Sequence, residues 1–152
     1  MYNPCAPGSR LGVLSTDLKA LPKGIEGLHV HNLCESNVHA LEATIEKIEA
    51  NFGHLLPDLK WFNFGGGHLI NHKDYDVNQL IEVLKTFKKK WNVDVILEPG
   101  SGIAWQTGDL VSTVLDIVEN AGIKTAILDI SFTRHMPDTC LLYTSPSPRD
   151  RG

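Results

Sequence analysis

The stretch Trp61-Phe-Asn-Phe-Gly-Gly-Gly-His68 decides how the rest of the chain is read. Trp61 to Phe64 has the aromatic content of a buried strand end, bounded upstream by Pro57-Asp58. Three glycines then remove every side chain from the turn that follows. A backbone without Cβ atoms can reach positive φ and approach a ligand closely. Its N–H groups can also converge on one point as an anion nest. Phosphate is the usual occupant of such a turn between a strand and a helix. Taken alone, Gly65-Gly66-Gly67 fits a flexible loop equally well, so the neighbours decide.

Upstream, Asn3 to Gly12 reads as a loop and Gly24 to His31 as a short strand. Leu28 and Val30 face one way on it, His29 and His31 the other. Asn37 to Phe52 is predicted as an amphipathic helix, with Leu41, Ile45 and Ile48 at helical spacing. Ser36 or Asn37 can cap it and Gly53 can end it. Lys60 to Phe64 is the next strand. Downstream, Asp76 to Trp91 repeats the helical pattern through Leu80, Val83, Leu84 and Phe87. Lys88, Lys89 and Lys90 fall where a helix dipole favours cations, as a solvated helix end. Val93 to Leu97 is a third strand, closed by Glu98-Pro99-Gly100.

Strand, helix, strand, helix, strand is the rhythm of a parallel α/β sheet. The apolar run Val95-Ile96-Leu97 predicts burial on both faces. Chemistry in such sheets sits where strands end and loops begin. His31, the glycine turn and Glu98 all fall at that edge. The rhythm then changes. Leu110 to Val118 and Thr125 to Ile130 flank a turn at Asn120-Ala121-Gly122 and read as a β-hairpin, the entry to a second, all-β domain. The expected organisation is residues 1–104 as an α/β domain, 105–139 as the start of the β-domain and 140–152 as an unstructured tail.

At 152 residues the chain is long enough for one domain that buries about two-thirds of its unfolded surface. Hydrophobic residues at 42% and charged residues at 21% are those of a soluble globular protein. A net charge of -4 and a pI near 5.9 argue against nucleic acid or an anionic membrane as the main partner. Cys5, Cys34 and Cys140 offer neither a metal-binding pair nor a disulfide framework, which fits a reducing, cytoplasmic compartment. No apolar run approaches a membrane span. Both ends read as those of a fragment. The turn-rich opening Met1 to Gly8 connects to no preceding element, and Leu141 to Gly152 resembles translated sequencing-adapter sequence.

Taken singly, the chemical groups stay ambiguous. His31 serves as a structural histidine or as a ring-stacking ligand. Glu98, after so apolar a strand, is expected to be buried and to need a cationic or N–H partner. A structural lysine or arginine would satisfy it, and so would a protonated heterocycle nitrogen. Together, a phosphate nest, a flat imidazole and a carboxylate suit a flat, phosphorylated, nitrogen-containing cofactor, and pyridoxal 5'-phosphate meets all three conditions.

The chain resembles the fold-type III pyridoxal-phosphate decarboxylases, and within them the carboxynorspermidine (carboxyspermidine) branch of polyamine synthesis. The residues that carry this are Tyr2 to Gly12, Gly27-Leu-His-Val-His-Asn-Leu-Cys-Glu35, Trp61 to His68, Leu97-Glu-Pro-Gly100 and His135-Met-Pro-Asp138. The resemblance implies the C-terminal part of a (β/α)8 barrel followed by a β-domain, in a cytoplasmic homodimer that decarboxylates carboxynorspermidine or carboxyspermidine. It implies that His31 stacks on the pyridine ring and that Gly65, Gly66, Gly67 and the Gly100 backbone hold the phosphate. Glu98 would pair with the pyridine nitrogen, and Ser101 and Asp138 are weaker substrate contacts; Asp138 also fits a solvated loop acid. No metal ligand set is implied. The family's Schiff-base lysine lies on an early barrel strand, upstream of Met1, so no catalytic residue is assigned here. Where the family tends to continue Glu-Pro-Gly with an acidic residue, this chain has Ser101-Gly102. A decarboxylase for another amino acid, such as diaminopimelate, and a non-catalytic cofactor-binding relative are the alternatives.

Overall fold

A computed structural model of the chain describes residues 4–135. One compact unit runs to Trp105 and a second starts at Gln106. In the first, strands β1 (Gly27–His29), β2 (Trp61–Asn63) and β3 (Asp94–Ile96) form a parallel sheet in the order β1-β2-β3. Helix α1 (Val38–Phe52) joins the first pair and α2 (Val77–Trp91) the second.

The helices start where their caps dictate. The Asn37 side chain accepts from the Ala40 N–H at 3.2 Å, and the Asp76 side chain from the Gln79 N–H at 2.9 Å. Val38, Leu41, Thr44 and Ile48 form the buried stripe of α1, and Leu80 and Phe87 that of α2. Asn92, in the left-handed conformation at φ 53°, stops α2 just after its three lysines. Glu49 ties the helices together, accepting from Lys90 Nζ at 2.7 Å and from Trp91 Nε1 at 2.8 Å. Burial pushes the Glu49 carboxyl up, and these two donors outweigh it and hold it below its ordinary value.

Sheet register explains both the core and the site. Leu28, Phe62 and Val95 are aligned across the strands, and so are His29, Asn63 and Ile96. Successive residues face opposite ways. One face therefore gives Phe62 and Phe64 to the core, where both rings meet Phe87 at centroid distances of 5.3 and 4.9 Å. Each such pair adds about 0.5–1.5 kcal/mol beyond area burial. The other face carries His29, His31, Asn63, Ile96 and Glu98. Hydrogen bonds from the Val30 N–H to the Asn63 carbonyl (2.9 Å), from Phe64 to Ile96 (3.0 Å) and from Glu98 to Gly65 (2.7 Å) prolong the ladder past the strand ends.

Burial of β3 on both faces is not found. Ile96 is 42% exposed because it shares the face of His29 and Asn63, which no helix of the described residues covers. The strands are also shorter than predicted. After Glu98-Pro99 the chain enters a short helix, α3 (Gly100–Ala104), which the sequence reading does not include.

The second unit holds the expected hairpin, β4 (Val114–Asn120) and β5 (Ile123–Leu128), paired antiparallel. Its two-residue turn, Ala121-Gly122, has φ of 51° and 77°, matching the right-handed strand twist. The first arm begins at Val114 rather than Leu110, and its register shifts once, between Val114 and Asp116. A short helix, α4 (Phe132–His135), follows. No helix among the described residues is long and apolar enough to cross a membrane.

Candidate functional site

Because the strands are parallel and in register, their C-terminal ends lie along one edge of the sheet. His31, Gly65 and Glu98 each stand two residues beyond the last aligned row of His29, Asn63 and Ile96. The predicted residues His31, Gly65, Gly66, Gly67 and Glu98 are thus brought together. Asp138 lies outside the described residues.

Glu98 is the hub. Its Oε1 accepts from Asn63 Nδ2 at 2.8 Å. Its Oε2 lies 3.5 Å from His29 Nε2 and 3.6 Å from His31 Nδ1. The expectation that Glu98 is buried fails: its side chain is 45% exposed, since it stands on the uncovered face. The Asn63 hydrogen bond, foremost, holds its carboxyl below the ordinary value; burial opposes this and the two imidazoles add to it. Glu98 is therefore an ionised carboxylate near neutral pH. No lysine or arginine is its partner among the described residues; the basic groups beside it are the imidazoles of His29 and His31. The two rings meet edge-on, 6.0 Å apart at 71°.

The glycine turn is packed rather than loose. Gly65 and Gly67 have φ of 67° and 83°, conformations that side chains rarely adopt. A Cβ on Gly65 would stand 2.6 Å from the Val30 carbonyl oxygen, and one on Gly66 2.6 Å from the Glu98 carbonyl oxygen and 3.3 Å from His31 Cε1. A Cβ on Gly67 would overlap the Leu33 carbonyl. The loops after β1 and β3 thus hold the turn from both sides. Ser36 donates from its N–H to the Gly67 carbonyl at 2.8 Å and pins it further.

Two of the expected phosphate donors are already committed. The Gly65 N–H donates to Asn63 Oδ1 at 2.8 Å, and the Gly100 N–H to the Glu98 carbonyl at 2.8 Å. Gly66 and Gly67 are the turn residues whose N–H groups meet no acceptor among the described residues. Ser101 lies exposed in α3, and Gly102 packs so closely that a Cβ would stand 2.9 Å from the His68 carbonyl oxygen.

Three residues at the site are absent from the sequence-based set. His29 and Asn63 share the face of His31, and strand alternation already carries that signal. His68, next after the glycines, is buried, and neither of its ring nitrogens has a hydrogen-bond partner among the described residues. Burial depresses its imidazole below the ordinary value; the nearby Phe64 carbonyl opposes this and the His31 ring adds to it. An open groove of about 660 Å³ between α1 and α2, lined by Glu42, Glu49, Gln79 and Lys90 among others, includes none of the site residues.

A parallel α/β unit that gathers an ionised carboxylate, two imidazoles and a glycine turn at its strand ends has the layout of an α/β enzyme's active site. Comparison with known proteins finds relatives of one particular chemistry. The chain is 49% identical, over 95% of its length, to the carboxynorspermidine/carboxyspermidine decarboxylase of Campylobacter jejuni. It is 51% identical over 98% of its length to the carboxyaminopropylagmatine decarboxylase of a Synechocystis species. A carboxynorspermidine/carboxyspermidine decarboxylase of Herminiimonas arsenicoxydans is 31% identical over 97% of the chain. The crystal structure of the C. jejuni carboxynorspermidine decarboxylase complexed with norspermidine superposes with a TM-score of 0.75 at 48% identity, over 90% of this chain and 37% of that one. The chain spans between 38 and 40% of the length of these curated relatives. No family model matches it. All three relatives are decarboxylases, that is, carboxy-lyases.

Proposed function

We propose that these residues form the phosphate and ring-nitrogen half of the site of a pyridoxal-phosphate-dependent decarboxylase of polyamine synthesis. The observation that carries the reading is the meeting of an ionised Glu98, an exposed His31 ring and a side-chain-free turn on one edge of a parallel sheet. The donor set fits the cofactor. Glu98 would pair with the pyridine nitrogen and keep it protonated. His31 would hold the ring. The free N–H groups of Gly66 and Gly67 take the phosphate, while Gly65 and Gly100 shape the turn without donating. When bound, the cofactor supplies an electron sink for the carbanion left by loss of carbon dioxide. The resemblance implies that the lysine carrying it lies on an earlier strand, outside these residues.

The sequential strand order, with α1 packed beside α2, supports a sheet that goes on to close as a (β/α)8 barrel. The hairpin would then open a β-domain, in a cytoplasmic homodimer. The substrate is a carboxylated polyamine precursor. Ser101-Gly102 after Glu98-Pro99-Gly100, and two relatives of near-equal identity with different named substrates, leave the choice between carboxynorspermidine or carboxyspermidine and carboxyaminopropylagmatine. Carbon dioxide release by the full-length protein from these compounds, with diaminopimelate as control, tests the reading. Release from diaminopimelate alone, or from none, overturns it.

One observation favours a second reading. Ligand atoms of His29, His31 and Glu98 all lie within 4.8 Å of one another, close enough for one divalent cation. Three protein ligands and an open position is the count of a catalytic zinc centre. Zinc binding that survives saturation with pyridoxal phosphate would favour that reading; displacement of zinc by the cofactor would remove it.

A further inference from the structure

The amide of Asn63 has one end on each half of the site. Its Oδ1 accepts from the Gly65 N–H at 2.8 Å, and its Nδ2 donates to Glu98 Oε1 at 2.8 Å. Both distances are those of full hydrogen bonds. An amide is the side chain that offers an acceptor and a donor on one rigid plane. Asn63 sits at the end of β2, and its backbone is held there by pairing with β1 and β3. The side chain therefore spans from the glycine turn on its own chain segment to the carboxylate on the next strand.

We infer that Asn63 is a positioning residue that sets the distance and angle between the phosphate-binding turn and the carboxylate that meets the cofactor ring. The inference rests on the cofactor reading above. Its Oδ1 takes up the Gly65 N–H, which fixes the turn in the conformation that leaves the Gly66 and Gly67 N–H groups without an acceptor among the described residues. Its Nδ2 engages one carboxylate oxygen and turns the other toward His29, His31 and the ring nitrogen. A cofactor with a phosphate at one end and a ring nitrogen at the other meets two contacts already spaced for it, so less ordering remains to be done on binding. A charge-assisted bond from Asn63 also favours the ionised form of Glu98.

Two variants separate the arms. Asn63→Asp keeps the acceptor for the Gly65 N–H and replaces the donor facing Glu98 with a second carboxylate. Asn63→Ala removes both bonds. The measurement is the affinity of the full-length protein for pyridoxal phosphate across pH, followed by absorbance, with melting temperature recorded in parallel. Wild-type affinity falls on the acid side as Glu98 takes up a proton. Asn63→Asp is expected to bind about tenfold or more weakly, on the scale of a lost bond to a charged group, and to move that acid limb to higher pH. Inorganic phosphate, which tests the turn alone, should bind Asn63→Asp as it binds wild type and Asn63→Ala more weakly. A variant that melts lower but keeps the wild-type acid limb shows a merely structural Asn63 and overturns the inference, as does unchanged affinity in both variants. A wild type that fails to bind pyridoxal phosphate overturns the cofactor reading and the inference with it; a wild type that binds while Asn63→Asp matches it overturns only the inference.

Discussion

The two units of the chain contrast in what their hydrogen bonds accomplish. The parallel sheet places one row of side chains under α1 and α2, so that Phe62 and Phe64 are almost fully buried. The hairpin is paired from Val114 to Asn120 with one register shift after Val114, yet every residue of β4 is exposed, Ile117 at 61%. Backbone pairing satisfies the same groups in both. Only where helices cover a face does it also remove apolar surface from water, the dominant favourable contribution to folding. A lone two-stranded hairpin is marginal in water. The first unit therefore has the means to hold a fixed site geometry.

The largest expected effect probes that contrast directly. Phe64→Ala should cost about 3–5 kcal/mol, the range for truncating a buried aromatic, and Ile117→Ala less than about 0.5 kcal/mol, as for an exposed position. Urea unfolding of the two variants measures both; equal losses would break the comparison. Next comes Gly67→Ala, which meets both a positive φ and the Leu33 carbonyl. Strain and overlap together should cost about 2–4 kcal/mol, read from the same unfolding curves.

A smaller effect is set by pH. His68 is buried with its imidazole held below the ordinary value of 6.5. The unfolded chain thus binds a proton there that the folded chain refuses, and stability is full above 6.5 and falls as pH is lowered through it. Melting temperature across pH should show this slope, and His68→Leu should flatten it. Glu98, with its depressed value, gives a further loss at lower pH, below the ordinary 4.5. The smallest change lies in the hairpin. Ala121 takes a left-handed φ of 51°, so Ala121→Gly relieves about 1–2 kcal/mol of strain against about 0.4–1 kcal/mol of added unfolded-chain entropy and should stabilise the turn slightly. Slower amide exchange along β4 and β5, with the α1 and α2 amides unchanged, is the expected result.

Much of this was legible in the residues. Asn37 and Asp76 announce the helix starts, the helical spacing of Leu41 and Ile48 gives the buried stripe with Ile45 partly buried at its edge, and Ala121-Gly122 marks the hairpin. His31, the glycines and Glu98 could be grouped because each follows a strand. The exposure of Glu98 and Ile96 was not legible, since an apolar run looks the same whether one face or two are covered. Asn63 lay hidden for a related reason. Between two phenylalanines it reads as the outward residue of an alternating strand, and only the third dimension puts Glu98 opposite it. His68 was overshadowed by the glycines before it, and nothing in the sequence states that its ring is buried without a partner.

The parallel topology has a consequence for biosynthesis. Parallel neighbours are joined through a whole helix, so Asn63 and its partner Glu98 are 35 residues apart. A nascent chain still on the ribosome exposes the glycine turn well before it exposes the carboxylate. Until β3 has emerged and paired, the Asn63 amide has no far partner and no carboxylate stands beside the turn. Ligand capture should therefore begin abruptly with the release of β3, and truncations ending before and after Glu98 would mark that moment during translation.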